Sequence, residues 1–153
     1  MVARRSAGLL MYRMGPSGPE LLLVHPGGPF WAKKDDGAWS IPKGLHDDSE
    51  DSLDAAKREF EEETGCKPHG DFIALGAFTQ SGGKVVAAWA FEGDCDAESL
   101  KSTTFSLEWP RGSGRRQEFP EVDRAGWFGL DEARRKILPA QAALLEELAS
   151  KTP

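Results

Sequence analysis

The sequence predicts one mixed α/β domain in which helices lie against a sheet, and three observations predict it. Two apolar runs of strand length, 6–13 and 20–25, open the chain. One stretch of helical period sits in the middle, with further strand-like runs after it, and helix-forming segments close the chain. A length of 153 residues and a mass of 16.7 kDa suit a single domain spanning 1–153. Hydrophobic residues at 39% and charged residues at 29% exclude a disordered chain.

The elements follow in order. Gly15-Pro16-Ser17-Gly18-Pro19 supplies the turn between the first two strands. Pro26 to Ala38 is rich in Gly and Pro and carries Trp31, Lys33, Lys34, Asp35 and Asp36, a loop longer than connections without a task usually are. Trp39-Ser40-Ile41 alternates like a short strand that Pro42-Lys43-Gly44 ends. Leu53, Ala56 and Phe60 recur at helical spacing and define a buried face. Ser49 or Asp51 caps that helix, and Gly65 stands where a left-handed stop belongs. Runs 71–80 and 84–92 flank Ser81-Gly82-Gly83, a hairpin signal. Weaker strands are expected at 105–109, 115–119 and 127–130. A helix over 131–137 follows, and Pro139 suits the first turn of a last helix over 140–149. There is no internal repeat and no linker.

The net charge of −6 is local in origin. Asp47 to Glu63 holds nine acids against Lys57 and Arg58, so the remainder of the chain is close to neutral. An acidic chain argues against coating of DNA or other nucleic acid. No stretch reaches membrane-spanning length, and the run after Arg4 and Arg5 is too short for a signal peptide. Cys66 and Cys95 lack metal-ligand spacing and read as structural thiols, so a cytoplasmic protein is expected.

Within the acidic stretch, Glu59, Glu62 and Glu63 stand at i, i+3 and i+4 and share one helix face. They crowd the C-terminal end, where the helix dipole disfavours anions. A hard divalent cation, Mg²⁺ or Mn²⁺, removes that conflict because it selects carboxylate oxygens. A solvated acidic face has the same composition, and the wider spacing decides between the two. Gly44, five residues, Glu50, seven residues, then Arg58-Glu59-Phe60-Glu61-Glu62-Glu63-Thr64-Gly65-Cys66 resembles the Nudix box, G-x5-E-x7-R-E-U-x-E-E-x-G-U with U apolar. All seven fixed positions match; Phe60 and Cys66 occupy places more often aliphatic.

The resemblance implies a Nudix-type α/β/α sandwich, a mixed sheet flanked by helices. It also implies Mg²⁺-dependent hydrolysis of the pyrophosphate linkage in a nucleoside diphosphate derivative, a small molecule, by water attack on phosphorus. By family position, Glu59, Glu62 and Glu63 would be metal ligands and Arg58 would orient them. Glu50 would support the loop-to-helix geometry, and Gly44 and Gly65 would shape the box. Which glutamate acts as general base stays open. The family often adds a loop acid before a late strand; counting back from Trp127 favours Glu121 as that catalytic metal ligand, with Glu118 second.

Lys43 and Gly44 are candidate phosphate contacts, and His25 and Trp31 lie where Nudix proteins often bind the base or distal phosphates. Arg111, Arg115 and Arg116 flank a glycine turn and are candidates for further phosphates. Subgroup markers, a proline for ADP-ribose or a tyrosine for dinucleoside polyphosphates, are missing between Gly76 and Ala90. The Pro42-Lys43-Gly44 entry and the Glu121-to-Trp127 spacing resemble dinucleoside-polyphosphate or diphosphoinositol hydrolases more than nucleotide-pool cleaners, and a nucleotide or dinucleoside polyphosphate is the expected substrate. A Nudix-like nucleotide-binding or sensor module without turnover is the alternative.

Overall fold

The first two strands are apolar without alternation because both faces of the sheet are covered. The computed structural model, which describes residues 5–80 and 83–152, contains β1 (Arg5–Gly15), β2 (Gly18–Pro26), β3 (Lys43–His46), α1 (Ser52–Thr64), β4 (Ile73–Thr79) and β5 (Val85–Glu92). It continues with β6 (Thr104–Glu108), β7 (Arg116–Pro120), β8 (Val122–Gly129), α2 (Leu130–Lys136) and α3 (Ala142–Lys151). The main sheet runs β4-β5-β1-β2-β8. β1 pairs with β3 through Arg5–Gly8 and with β2 through Tyr12–Gly15, while β5 lies parallel along its other edge. The other pairings are antiparallel, so the sheet is mixed.

Side chains alternate into two cores. Leu10, Tyr12, Leu21 and Leu23 meet Leu144, Leu145 and Leu148 of α3 on one face. Leu9, Met11 and Leu22 meet Ala55, Ala56 and Phe60 of α1 on the other. The expected α/β/α sandwich is therefore present, and β1 reads as a continuous apolar run for the reason that buried central strands do. β6 and β7 form a separate two-stranded ribbon beside it.

Several expectations need correction. Trp39 and Ser40 make only isolated bridges, to Ile137 and Val24. The strand lies at Lys43–His46 instead, because the first half of β1 offers it an open edge. Pro42-Lys43-Gly44 thus begins a strand rather than ending one. Pro139 opens a short 3-10 turn, Pro139–Gln141, ahead of α3. β8 starts at Val122, five residues before the expected strand, since His25 and Pro26 extend its partner that far. The Ser81-Gly82 turn lies outside the described residues; its flanks pair, with Gln80 N–H donating to Lys84 O at 2.9 Å. Cys66 and Cys95 are not free thiols: they form a disulfide between the end of α1 and the segment after β5, with Cα atoms 6.6 Å apart. Their 29-residue separation hides a proximity that only the tertiary fold creates. Unpaired cysteines therefore no longer argue for a reducing compartment. No helix among the described residues is long and apolar enough to cross a membrane.

Candidate active site

Local chemistry fixes where α1 starts and stops. The Asp51 carboxylate accepts the Asp54 N–H at 3.1 Å, and Gly65 takes φ 78° so that its N–H reaches Glu61 O. With Ala55, Ala56 and Phe60 buried against the sheet, the register turns Glu59, Glu62 and Glu63 to the flank beside β3. A Cβ at Gly44 on β3 would overlap the Glu59 carboxylate. Glycine there is what lets strand and helix approach so closely.

Arg58 organises the acids with the fork that only arginine offers. Its Nε and Nη2 each donate to a Glu50 oxygen at 2.9 Å, and Nη1 donates to Glu59 at 2.8 Å and to Glu62 at 3.3 Å. These bonds raise the Arg58 pKa, Glu50 first and Glu59 after it, and the same pairing lowers that of Glu50. Burial raises the Glu59 pKa against the pull of Arg58, with Glu62 and Glu121 adding repulsion. Burial and then the charge of Glu59 push Glu63 up to about 8, opposed by Lys43. Lys43 is itself lowered by burial while Glu63 counters the shift.

A cleft of about 520 Å³ opens beside these groups, lined by Trp31, Lys43, Glu63, Gln80 and Glu121, with Leu138, Pro139 and Ala140 along one side. Glu121 is brought there from a distant part of the chain by a strap of backbone bonds. Lys101 and Thr103 donate to Thr64 O and Glu62 O at the end of α1, and Glu121 N–H donates to Thr103 O at 2.8 Å. Ser102 Oγ accepts the Val122 N–H, and Gly27 N–H donates to Glu121 O. Gly27 has no room for a side chain, since a Cβ would overlap Pro120 O.

Other candidates fall elsewhere. His25 is fully buried, with both ring nitrogens engaged by Asp123 and Lys34, so it is not a substrate contact. Arg116 does not line the cleft: its Nε donates to Ser106 Oγ across the β6–β7 ribbon at 3.0 Å. Arg111 and Arg115 are exposed at the ribbon tip, and Glu118 is exposed on β7. Glu62 is 41% exposed and leans on Arg58 rather than into the cleft. Gln80 and Leu138–Ala140 also line the cleft but belong to no spaced motif in the sequence, and a polar residue closing a strand is the one signal at Gln80.

Among the described residues no three His, Cys, Asp or Glu side chains already converge as a metal-holding set. The donor chemistry nonetheless fits a hard cation. Glu59 and Glu63 are carboxylates raised by burial and by neighbouring carboxylates, Glu62 and Glu121 at Glu59 and Glu59 and Glu121 at Glu63, and a divalent ion is the partner that would reverse both effects.

The NUDIX domain family model matches residues 2–148. No curated protein matches the chain. Similar solved structures include a Caenorhabditis elegans Ap4A hydrolase binary complex, with TM-score 0.69 and 22% identity over 95% of this chain and 96% of that one. The NUDIX domain of Shewanella oneidensis NrtR complexed with ADP ribose aligns with TM-score 0.65 and 16% identity over 99% and 89% of the two chains. A mutT/nudix family protein from Listeria innocua aligns with TM-score 0.64 and 20% identity over 99% and 94%. At these identities the likeness is one of fold.

Proposed function

The chain belongs to the NUDIX domain family, and from that premise we propose that it is a pyrophosphohydrolase that cleaves a phosphoric anhydride in a nucleoside diphosphate derivative. The observation that carries the reading is the Arg58 fork holding Glu50 and Glu59 together while Glu63, Glu121 and Lys43 face one cleft. An anionic anhydride does not enter a carboxylate-rich cleft without cations. The chemistry that Mg²⁺ or Mn²⁺ supplies when bound is charge neutralisation on the anhydride oxygens and a lowered pKa for water.

Glu59, Glu62, Glu63 and Glu121 are the residues that would hold the ion. Arg58 keeps Glu59 aimed, and Glu50 keeps Arg58 aimed. Lys43 offers its ammonium to a phosphate oxygen, and one of the box glutamates takes a proton from the attacking water. The Trp31 face in the cleft wall suits a nucleobase. A nucleotide or dinucleoside polyphosphate is the favoured substrate class, which the fold likeness to an Ap4A hydrolase supports.

A phosphate-release panel with Mg²⁺ tests the reading, using nucleoside triphosphates, ADP-ribose, dinucleoside polyphosphates and diphosphoinositol phosphates. Turnover of at least one substrate is expected, with Glu63→Gln and Glu62→Gln each reducing it at least 100-fold. Binding without turnover of any substrate would favour a non-catalytic nucleotide-binding module, a reading that the fold likeness to an ADP-ribose-bound NUDIX domain keeps in view.

A further inference from the structure

His25 is a polar side chain that the fold buries completely and the proposed chemistry does not use. Its Nδ1 lies 2.8 Å from Asp123 Oδ1 and its Nε2 lies 2.6 Å from Lys34 O. Both partners are oxygen acceptors, and the two ring nitrogens face one each. The edge of the ring meets Trp39, with centroids 5.2 Å apart.

Each end of this bridge belongs to a segment that lines the cleft through other residues. Lys34 belongs to the 27–38 loop that carries Trp31, and Asp123 follows two residues after Glu121 at the start of β8. The far end of the loop has its own anchors on α2: Lys136 pairs with Asp35 and Asp36, and Asp35 also accepts the Trp39 indole N–H. Its near end is held where Gly27 N–H meets Glu121 O. Between these anchors, the His25 ring is the polar link from the main sheet to the loop, with Phe30 resting edge-on against Trp109 of the ribbon.

We propose that His25 is a positioning residue: by bridging Lys34 O to Asp123 it sets the distance between the Trp31 wall and the Glu121 wall, and so the width of the cleft available to a nucleotide. Cleft width governs how well a ligand is gripped rather than the reactivity of the attacked phosphorus. Glu121 keeps its own backbone bonds to Thr103 and Gly27 when the bridge is lost, so loosening it frees the Trp31 side, weakens binding and leaves the chemical step nearly untouched. The nucleotide in this statement rests on the functional reading above; the bridge itself does not.

Three variants test it. Asp123→Ala removes one acceptor at a partly exposed position and leaves His25 in place. His25→Gln offers donors from a single nitrogen and cannot span both partners. Asp123→Asn is the conservative rescue, because its amide donates to an unprotonated Nδ1 while Nε2–H still donates to Lys34 O; only the 3.7 Å contact of Asp123 with Arg124 is weakened.

Amide hydrogen exchange over residues 28–34 is expected to rise at least tenfold in Asp123→Ala and His25→Gln and to stay at wild-type rates in Asp123→Asn. The Kd for ADP with Mg²⁺ is expected to weaken about tenfold in the first two variants and within twofold in the third, in line with one charge-assisted hydrogen bond. For whichever substrate the panel identifies, KM should follow Kd while kcat changes less than twofold. Unchanged exchange in Asp123→Ala would overturn the bridge, and faster exchange with unchanged ADP affinity would overturn its link to the cleft. Asp123→Asn behaving like Asp123→Ala would also overturn it. A wild type without turnover would sink the enzymatic reading alone, since exchange and ADP affinity need no turnover.

Discussion

Glu63 is a carboxyl whose environment works against its charge, and that has a measurable cost. Burial and the neighbouring Glu59 push its pKa up to about 8, against 4.5 for an ordinary glutamate. Between those two values the folded chain binds a proton that the unfolded chain releases. Stability from this group is therefore complete below about pH 4.5 and is lost as pH rises toward 8. In EDTA the Tm is expected to fall from pH 5 to pH 8, with a clearly shallower slope in Glu63→Gln. Mg²⁺ at pH 8 should raise the wild-type Tm by removing the conflict and should raise that of Glu63→Gln much less. Parallel wild-type and variant slopes in thermal melts would show that Glu63 is not the group responsible. Box residues of this kind were legible in the sequence because one strand, one loop and one helix carry all seven fixed positions within Gly44–Gly65. His25 was not, because Asp123, 98 residues away, is brought to it by the pairing of β2 with β8, and Lys34 by the return of the loop after β2.

At the scale of elements, the end of α1 and the loop before β8 form one assembly. The segment after β5 satisfies the last carbonyls of the helix on one side and the Glu121 and Val122 N–H groups on the other. The Cys66–Cys95 disulfide ties the start of that segment to the helix. Closing a loop of 29 residues stabilises a fold by roughly 3–4 kcal/mol in the chain-entropy model. For a chain of this length that corresponds to roughly 6–16 °C of Tm. Melts with and without a dithiol reductant should differ by that order, and the double variant Cys66→Ser, Cys95→Ser should melt with the reduced wild type. Identical oxidised and reduced melts would contradict the pairing. None of this assembly shows in the sequence as a pattern: its bonds are mostly backbone bonds, which carry no residue signature. The helix itself was legible, because its caps and apolar spacing are local. β3 was misplaced by the sequence because the open edge of β1 decided where pairing began, a tertiary effect that overrides local alternation.

Across the whole molecule, the two helical layers meet at the cleft: α1 contributes Glu63 from one face, and the 3-10 turn before α3 contributes Pro139 and Ala140 from the other. Gln141 in that turn accepts the Ile41 N–H at 3.0 Å and donates to Ser40 Oγ at 2.8 Å, fixing the chain that leads into Lys43 and Gly44. The sandwich architecture was legible from the order of apolar periods, while this crosslink between layers was not, since Gln141 looks like any helical glutamine until its burial is seen. The final layer is also decisive for stability. Leu144, Leu145 and Leu148 are at most 2% exposed. Burying each stabilises by roughly 1.5–3 kcal/mol, so the three together are comparable with the 5–15 kcal/mol that separates folded from unfolded states in typical domains. A chain ended after Leu138 would lose them, expose the apolar sheet face formed by Leu10, Leu21 and Leu23, and release Ser40 and Ile41 from Gln141. It is expected to show no cooperative thermal transition and no near-ultraviolet dichroism from its five tryptophans, whereas a full-length chain with Gln141→Leu should fold and melt only a few degrees lower. A truncated chain melting cooperatively within a few degrees of the full-length protein would show that α1 and the sheet suffice, and that the second helical layer serves the cleft without holding the fold.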